Sequence, residues 1–169
     1  MAQIISNEDL KILIAQAYVQ GKQELLLRGS HFADINLRNE RIPISLDFDD
    51  SIFDGDFILA GAEFGGRYIS LDRALIKGII SLSGMKSSLD GFAFYLRGAY
   101  LKGPINLELT KITRLVVFAC DFIEGVGMIR VEGTTIERIF TQPEQGELAE
   151  IKNLKREASK KRKSGEFSA

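Results

Sequence analysis

The chain has 169 residues and a formal net charge of −1, enough length to bury one continuous core and too little charge to signal nucleic acid or an anionic membrane as a whole-chain partner. One Cys and one His exclude an internal disulfide and a Cys/His zinc site, and with no signal-peptide pattern or long apolar run they lead us to expect a cytoplasmic protein without a membrane span. The 16 Gly and 11 Phe beside 3 Pro and no Trp suit short extended segments joined by tight corners better than long helices.

Residues 1–22 read as a capping helix. Ser6-Asn7-Glu8-Asp9 supplies an N-cap ahead of Leu10, Ile12, Leu13, Ile14, Ala17 and Tyr18, and Gly21 supplies the stop. A helix of this length is marginal alone in water, so its wide apolar face is expected to lie on the first exposed layer of the adjoining domain.

Residues 23–141 carry a repeat. The unit is a small residue, any residue, an apolar residue and then, after a corner often marked by Gly, an apolar-x-apolar triplet. It recurs in Ala62-Glu63-Phe64-Gly65-Gly66 with Ile69 and Leu71, in Ala74-Leu75-Ile76-Lys77-Gly78 with Ile80 and Leu82, and in Ala99-Tyr100-Leu101-Lys102-Gly103 with Ile105 and Leu107. Weaker copies begin at Ser30, Ile42, Ser51, Ser87, Thr110, Cys120 and Thr134. From 51 to 134 the copies start 11, 12, 13, 12, 11, 10 and 14 residues apart, a regularity that implies stacking rather than an ordinary sheet.

Period-two alternation inside each copy gives two short strands that share an inward side. Two units are needed to enclose the Phe, Ile and Leu side chains, so about ten units predict an all-β solenoid of about five coils, roughly 24 Å long at the strand spacing. The predicted core is Phe32, Phe53, Phe64, Ile76, Leu89, Leu101, Ile112, Phe122 and Ile136, with Gly66, Gly78, Gly91 and Gly103 at corners.

Residues 142–169 read as a C-terminal helix and basic tail. Pro143 opens it, Glu144, Glu147 and Glu150 lie early, and Lys155, Arg156 and Lys160 to Lys163 lie late, matching the helix dipole. Leu148, Ile151 and Leu154 form a narrow apolar seam that suits either a cap on the last coil or a homodimer.

The cores Ala33-Asp34-Ile35-Asn36, Ala62-Glu63-Phe64-Gly65-Gly66, Ala99-Tyr100-Leu101 and Cys120-Asp121-Phe122 resemble pentapeptide-repeat proteins. The resemblance spans about two thirds of the chain and implies a right-handed, four-sided β-helix with the small and central apolar residues inside. Only every second pentad keeps the small residue, which marks a diverged member or a related right-handed β-helix. The family implies an interaction surface for a protein partner, and in some members a DNA mimic that binds type II topoisomerases.

Catalytic chemistry is sparse. No nucleophile, phosphate-loop or dinucleotide motif is present, and Gly65-Gly66 and Gly125-x-Gly127 lack the strand-to-helix flanks such sites need. The spacing fits neither the contiguous hexapeptides of left-handed acyltransferase helices nor the many coils of polysaccharide-cleaving β-helices. His31 is expected to face solvent, and Cys120 to pack as a small inward group. Asp47, Asp49, Asp54 and Asp56, with Asp50 among them, form the one dense acidic run, and these carboxylates are weak candidates for a hard cation. Nucleic acid is expected at most as a weak contact of Lys160, Lys161, Arg162 and Lys163. The expectation is a non-enzymatic interaction module without a cofactor, with a topoisomerase-directed DNA mimic and a metal-dependent protein as alternatives.

Overall fold

A computed structural model describes residues 3–122 and 129–141, with backbone alone at 121 and 122. Pairs of inward-facing apolar residues every 21 to 25 positions bring short segments into parallel register, as in Phe32↔Phe53, Phe53↔Ile76 and Ile76↔Leu101. The result is a β-solenoid with four sheets, numbered here in the order a complete coil visits them. Sheet I stacks Ile4–Ile5, His31–Phe32, Ile52–Phe53, Leu75–Ile76, Tyr100–Leu101 and Asp121–Phe122. Sheet II stacks Ile35–Asn36, Phe57–Ile58, Ile80–Ser81, Ile105–Asn106 and Ile129–Arg130. Sheet III holds only Arg41–Ile42, Glu63–Phe64 and Lys86–Ser87. Sheet IV runs from Glu24–Leu26 through Ser45–Asp47, Tyr68–Ser70, Phe92–Tyr95 and Lys111–Val116 to Thr135–Phe140.

Sheets I and IV each have six strands, so there are about six turns rather than the five expected from the repeat. The additional turn precedes the first recognisable copy. In coil one, Ile4–Ile5 and Glu24–Leu26 supply sheets I and IV, and helix α1, Asn7–Val19, takes the place of the other two sides. Ser6 and Asp9 close its N-terminus as a capping box. Asn7 accepts the Asn36 N–H at 2.8 Å, and Lys11 pairs with Glu40 at 3.1 Å, which places the helix beneath sheets II and III. Leu10, Ile14 and Ala17 are buried there and cover the open end of the core. The expected C-terminal helix lies outside the described residues.

Phe32, Phe53, Phe64, Ile76, Leu101 and Ile112 are buried, and Ile136 packs against the same core while partly buried. The Phe122 side chain lies outside the described residues. Phe32 and Phe53 stack at 4.7 Å between centroids, with Phe48 edge-on to both, the geometry aromatic rings favour.

Leu89 does not belong to the core: it is 52% exposed. The register aligns Ser87 with Phe64, so buried Met85, not Ser87, takes the inward place of Ala62. The volume a large residue at 87 would fill is taken by Phe92, whose ring lies 5.3 Å from that of Phe64. The Ser87 hydroxyl instead bonds the carbonyl and N–H of Gly91, closing a local turn that throws Leu89 outward.

The corners turn through stacked left-handed residues. One column is Gly29, Asp50, Arg73, Gly98 and Ala119, and the other is Asn39, Gly61, Gly84, Leu109 and Gly133. At such a corner the N–H still points up the stack, as when Arg73 N donates to Arg97 O at 2.7 Å, so the hydrogen-bond ladder continues around the bend. The expected corner glycines have another origin. Gly66, Gly78 and Gly103 have ordinary φ, but a Cβ on Gly66 would sit 2.5 Å from the carbonyl oxygen of Ile44, and one on Gly103 would sit 2.5 Å from that of Gly78. They are glycine because successive coils touch there. Gly91 alone of the four has positive φ, at +118°.

Candidate interaction face

Charged side chains, traced coil by coil, show which groups are available to do chemistry. At the corner between sheets IV and I, each buried carboxylate caps a backbone N–H that the ladder leaves over. Asp47 accepts from Asp49 N at 3.1 Å, Asp49 from Asp72 N at 3.1 Å, and Asp72 from Arg97 N at 2.8 Å. Guanidinium groups neutralise the column: Arg28 on Asp47 at 2.7 Å, Arg73 on Asp50 at 2.8 Å, and Arg97 on Asp72 at 2.7 Å. Burial pushes the Asp49 carboxyl up to about 6 against the pull of its Ser70 hydrogen bond, and neighbouring Asp72 and Asp47 add to the rise. Burial also raises Asp72, opposed by Arg97.

The remaining members of the acidic run have turned elsewhere. Asp54 meets Lys77 at 2.9 Å and His31 Nε2 at 2.7 Å; burial raises its carboxyl, but these two partners together hold it below the ordinary range. Asp56 accepts from Ile79 N at 2.8 Å and donates its own N–H to Asp34 at 2.5 Å. Asp47, Asp49, Asp54 and Asp56 therefore do not converge, and among the described residues no group of three His, Cys, Asp or Glu side chains could hold a metal ion. His31 is half-buried on the outer side of sheet I, and Cys120 is half-buried with its thiol directed at Leu96 O, 2.6 Å away. Leu148, Ile151, Leu154 and Lys160 to Lys163 lie outside the described residues.

Reading residue by residue missed these pairings. Their signal was the coil length itself: Asp49 to Asp72, Asp50 to Arg73, Asp54 to Lys77 and Asp56 to Ile79 are each 23 residues apart.

Sheet IV presents a different outer surface. Its inward column is Leu25, Leu46, Ile69, Phe94 and Leu115, so alternation turns Tyr68, Tyr95 and Arg114 outward. Tyr68 and Tyr95 meet edge-on at 6.4 Å between centroids, and Tyr68 donates to Glu24 at 2.5 Å. Burial, and then that hydrogen bond, raise the Tyr68 hydroxyl pKa, so it stays a donor at neutral pH. The Arg114 guanidinium lies 4.5 Å from the Phe140 ring centroid and 6.0 Å from that of Tyr95, while Arg97 approaches Tyr95 at 5.8 Å. Arg114 Nε is buried without a hydrogen-bond partner, an arrangement that leaves a charged donor unsatisfied.

Beside Tyr68, the bare Gly65-Gly66 corner leaves a groove of about 620 Å³ lined by Glu24, Pro43, Arg67 and Leu89 among others. Leu26 and Leu89 are exposed near it, as are Arg28 and Arg67. Tyrosine rings and guanidinium groups beside a shallow groove form the composition from which protein interfaces draw most of their binding energy. No helix among the described residues is long and apolar enough to cross a membrane. The chain matches no family model, no curated protein and no solved structure.

Proposed function

We propose that this chain is a non-enzymatic, cytoplasmic solenoid module that binds another protein through the outer face of sheet IV. The observation that carries the reading is the grouping of Tyr68, Tyr95 and Arg114 beside a groove flanked by Leu26 and Leu89, on a face held flat by parallel strands. Charge selects the class of partner. Arg67 and Arg138 are exposed on this side and Arg114 lies between Tyr95 and Phe140, while Arg28 is paired with Asp47, so the partner segment is acidic with at least one apolar anchor. The buried acids support a non-catalytic reading because they are engaged as caps and ion pairs between coils.

The same pattern supports placing the chain as a diverged relative of the pentapeptide-repeat solenoids: four-sided lower coils, with Ser51, Ala62, Ala74 and Ala99 buried at the small inward positions. A topoisomerase-directed DNA mimic is less well supported. Such a mimic needs a continuous acidic surface, whereas Asp47 and Asp72 are buried and Asp54 is paired with a cation.

The test is affinity capture from the native host with the parent chain beside the double variant Tyr95→Ser/Arg114→Gln. The parent is expected to retain a stoichiometric acidic protein that the variant loses while keeping its β-type circular dichroism. Equal retention by both would remove sheet IV as the binding face.

A further inference from the structure

The two ends of the solenoid are finished differently. At the lower end α1 packs against Glu24–Leu26 and covers the core with Leu10, Ile14 and Ala17. At the upper end Thr135–Phe140 is the outermost strand of sheet IV, six residues long, and among the described residues it packs chiefly against Lys111–Val116 beneath it. Val131 and Ile139 of this coil are 47% and 56% exposed, although Ile139 stands in register above the inward Leu115. A bare strand of this length is a template for pairing with another chain.

The backbone shows which groups of that edge are left over. Thr135 N donates down the stack to Thr110 O at 2.9 Å, and Phe140 O accepts from Val117 N at 2.9 Å. Along a strand the N–H and C=O of successive residues point to opposite sides. Ile136 and Ile139 therefore turn theirs up, away from the stack, with Glu137 and Arg138 between them. That odd separation matches the ladder below, where pairing is interrupted at Thr113 and Glu137. Glu137 and Arg138 are both exposed, and neither is in an ion pair among the described residues.

We propose that a second copy of this chain covers the edge, Thr135–Phe140 pairing antiparallel with its own twofold mate so that two solenoids join top to top. Backbone and sequence select the same axis. With the twofold between Glu137 and Arg138, Ile136 lies opposite the partner's Ile139, and the outward N–H and C=O groups of each exchange hydrogen bonds. The same axis sets Glu137 against the partner's Arg138 and Arg138 against the partner's Glu137, a cross-strand pairing of opposite charges made twice. A twofold through Glu137 or through Arg138 would instead set like charge on like and an isoleucine against a charge. Head-to-tail stacking is closed off because α1 occupies the lower end, so the contact is isologous and stops at two chains. This contact is separate from the acidic partner proposed above and leaves Arg67 and Arg114 for it. In the single chain the edge is bare again and its amides exchange with water.

Sedimentation equilibrium of the full-length chain tests the contact. The parent is expected to pass from a mass of two chains to one on dilution. Glu137→Arg sets arginine against arginine across the axis, and Arg138→Glu sets glutamate against glutamate, so each variant alone should dimerise about ten-fold more weakly. Mixed in equal amounts, the two variants place opposite charges at both positions and should form a mixed dimer of about parental affinity. Both changes are on exposed side chains and should keep the parent's β-type circular dichroism. A parent that stays at one chain up to its solubility limit overturns the proposal. So does a dimer that both single variants form with parental affinity, because its interface would lie elsewhere on the chain. A mixture no tighter than either variant alone would overturn the axis between Glu137 and Arg138.

Discussion

The lower and upper coils solve the same geometric problem in different ways. In coils two and three the chain turns sharply between sheets III and IV, at Pro43-Ile44 and at Gly65-Gly66, and the cross-section has four sides. In coils five and six the same stretch runs straight through as the six-residue strands Lys111–Val116 and Thr135–Phe140, paired in register with each other. Coil four is the transition, with the Ser87–Gly91 turn and a register shift between Phe92 and Ala93. The cause is local. Gly66 lets the coil below approach to a distance that no Cβ allows, whereas the stretch Ile112 to Leu115 holds the β-branched Ile112 and Thr113, which favour continued strand. Straightening also widens sheet IV and sets Arg114 between Tyr95 and Phe140.

This contrast can be broken by moving chemistry between the two regions. The largest expected effect is that of Gly66→Ala, whose Cβ would meet backbone atoms of Ile44 and Ser45 at 2.5 Å; overpacking there should cost about 2–3 kcal/mol. Thr113→Ala in the straight coil removes only strand propensity and should cost under about 1 kcal/mol. Urea midpoints for the two variants test the difference, and equal costs would mean that the corner is not what separates the regions.

A smaller effect isolates the buried acids of the lower coils. Asp49 in the folded chain holds its proton up to about 6, while the unfolded carboxyl releases it near 3.8. The folded state therefore binds more protons across that window, so stability falls as pH rises through it and is flat above. Asp49→Asn can still accept from Ser70 and Asp72 N and has no charge to desolvate. It should match the parent near pH 4 and exceed it at pH 7 by about 1 kcal/mol after discounting for solvent screening. Thermal midpoints from pH 4 to 7 measure this; a variant less stable at pH 7 would show that the Asp49 charge stabilises the corner.

Much of the architecture was legible because the core repeats. Two units per coil, the inward Phe53, Phe64 and Leu101, and a helix beneath the first coil all derive from period-two alternation and an N-cap. Coil one was hidden because α1 replaces two of its strands and no copy of the repeat is left to see. Leu89 was misplaced because the Ser87-Ser88-Leu89-Asp90-Gly91 string imitates the unit while the true register runs two residues earlier, through Met85. The proposed interaction face was hidden for a different reason. Tyr68, Tyr95 and Arg114 belong to different copies, and only the coil register brings them together.

The central claim is that the four-cornered lower coils are the more stable part of the stack and the straight upper coils the less stable part. Residue-resolved amide hydrogen exchange on the full chain tests it most directly, since a stacked repeat opens coil by coil rather than all at once. The slowest amides are expected in coils two to four, between Ile35 and Tyr95, with Ile129 to Phe140 exchanging fastest among the paired strands. Equal protection in the last coil and the third would contradict the account.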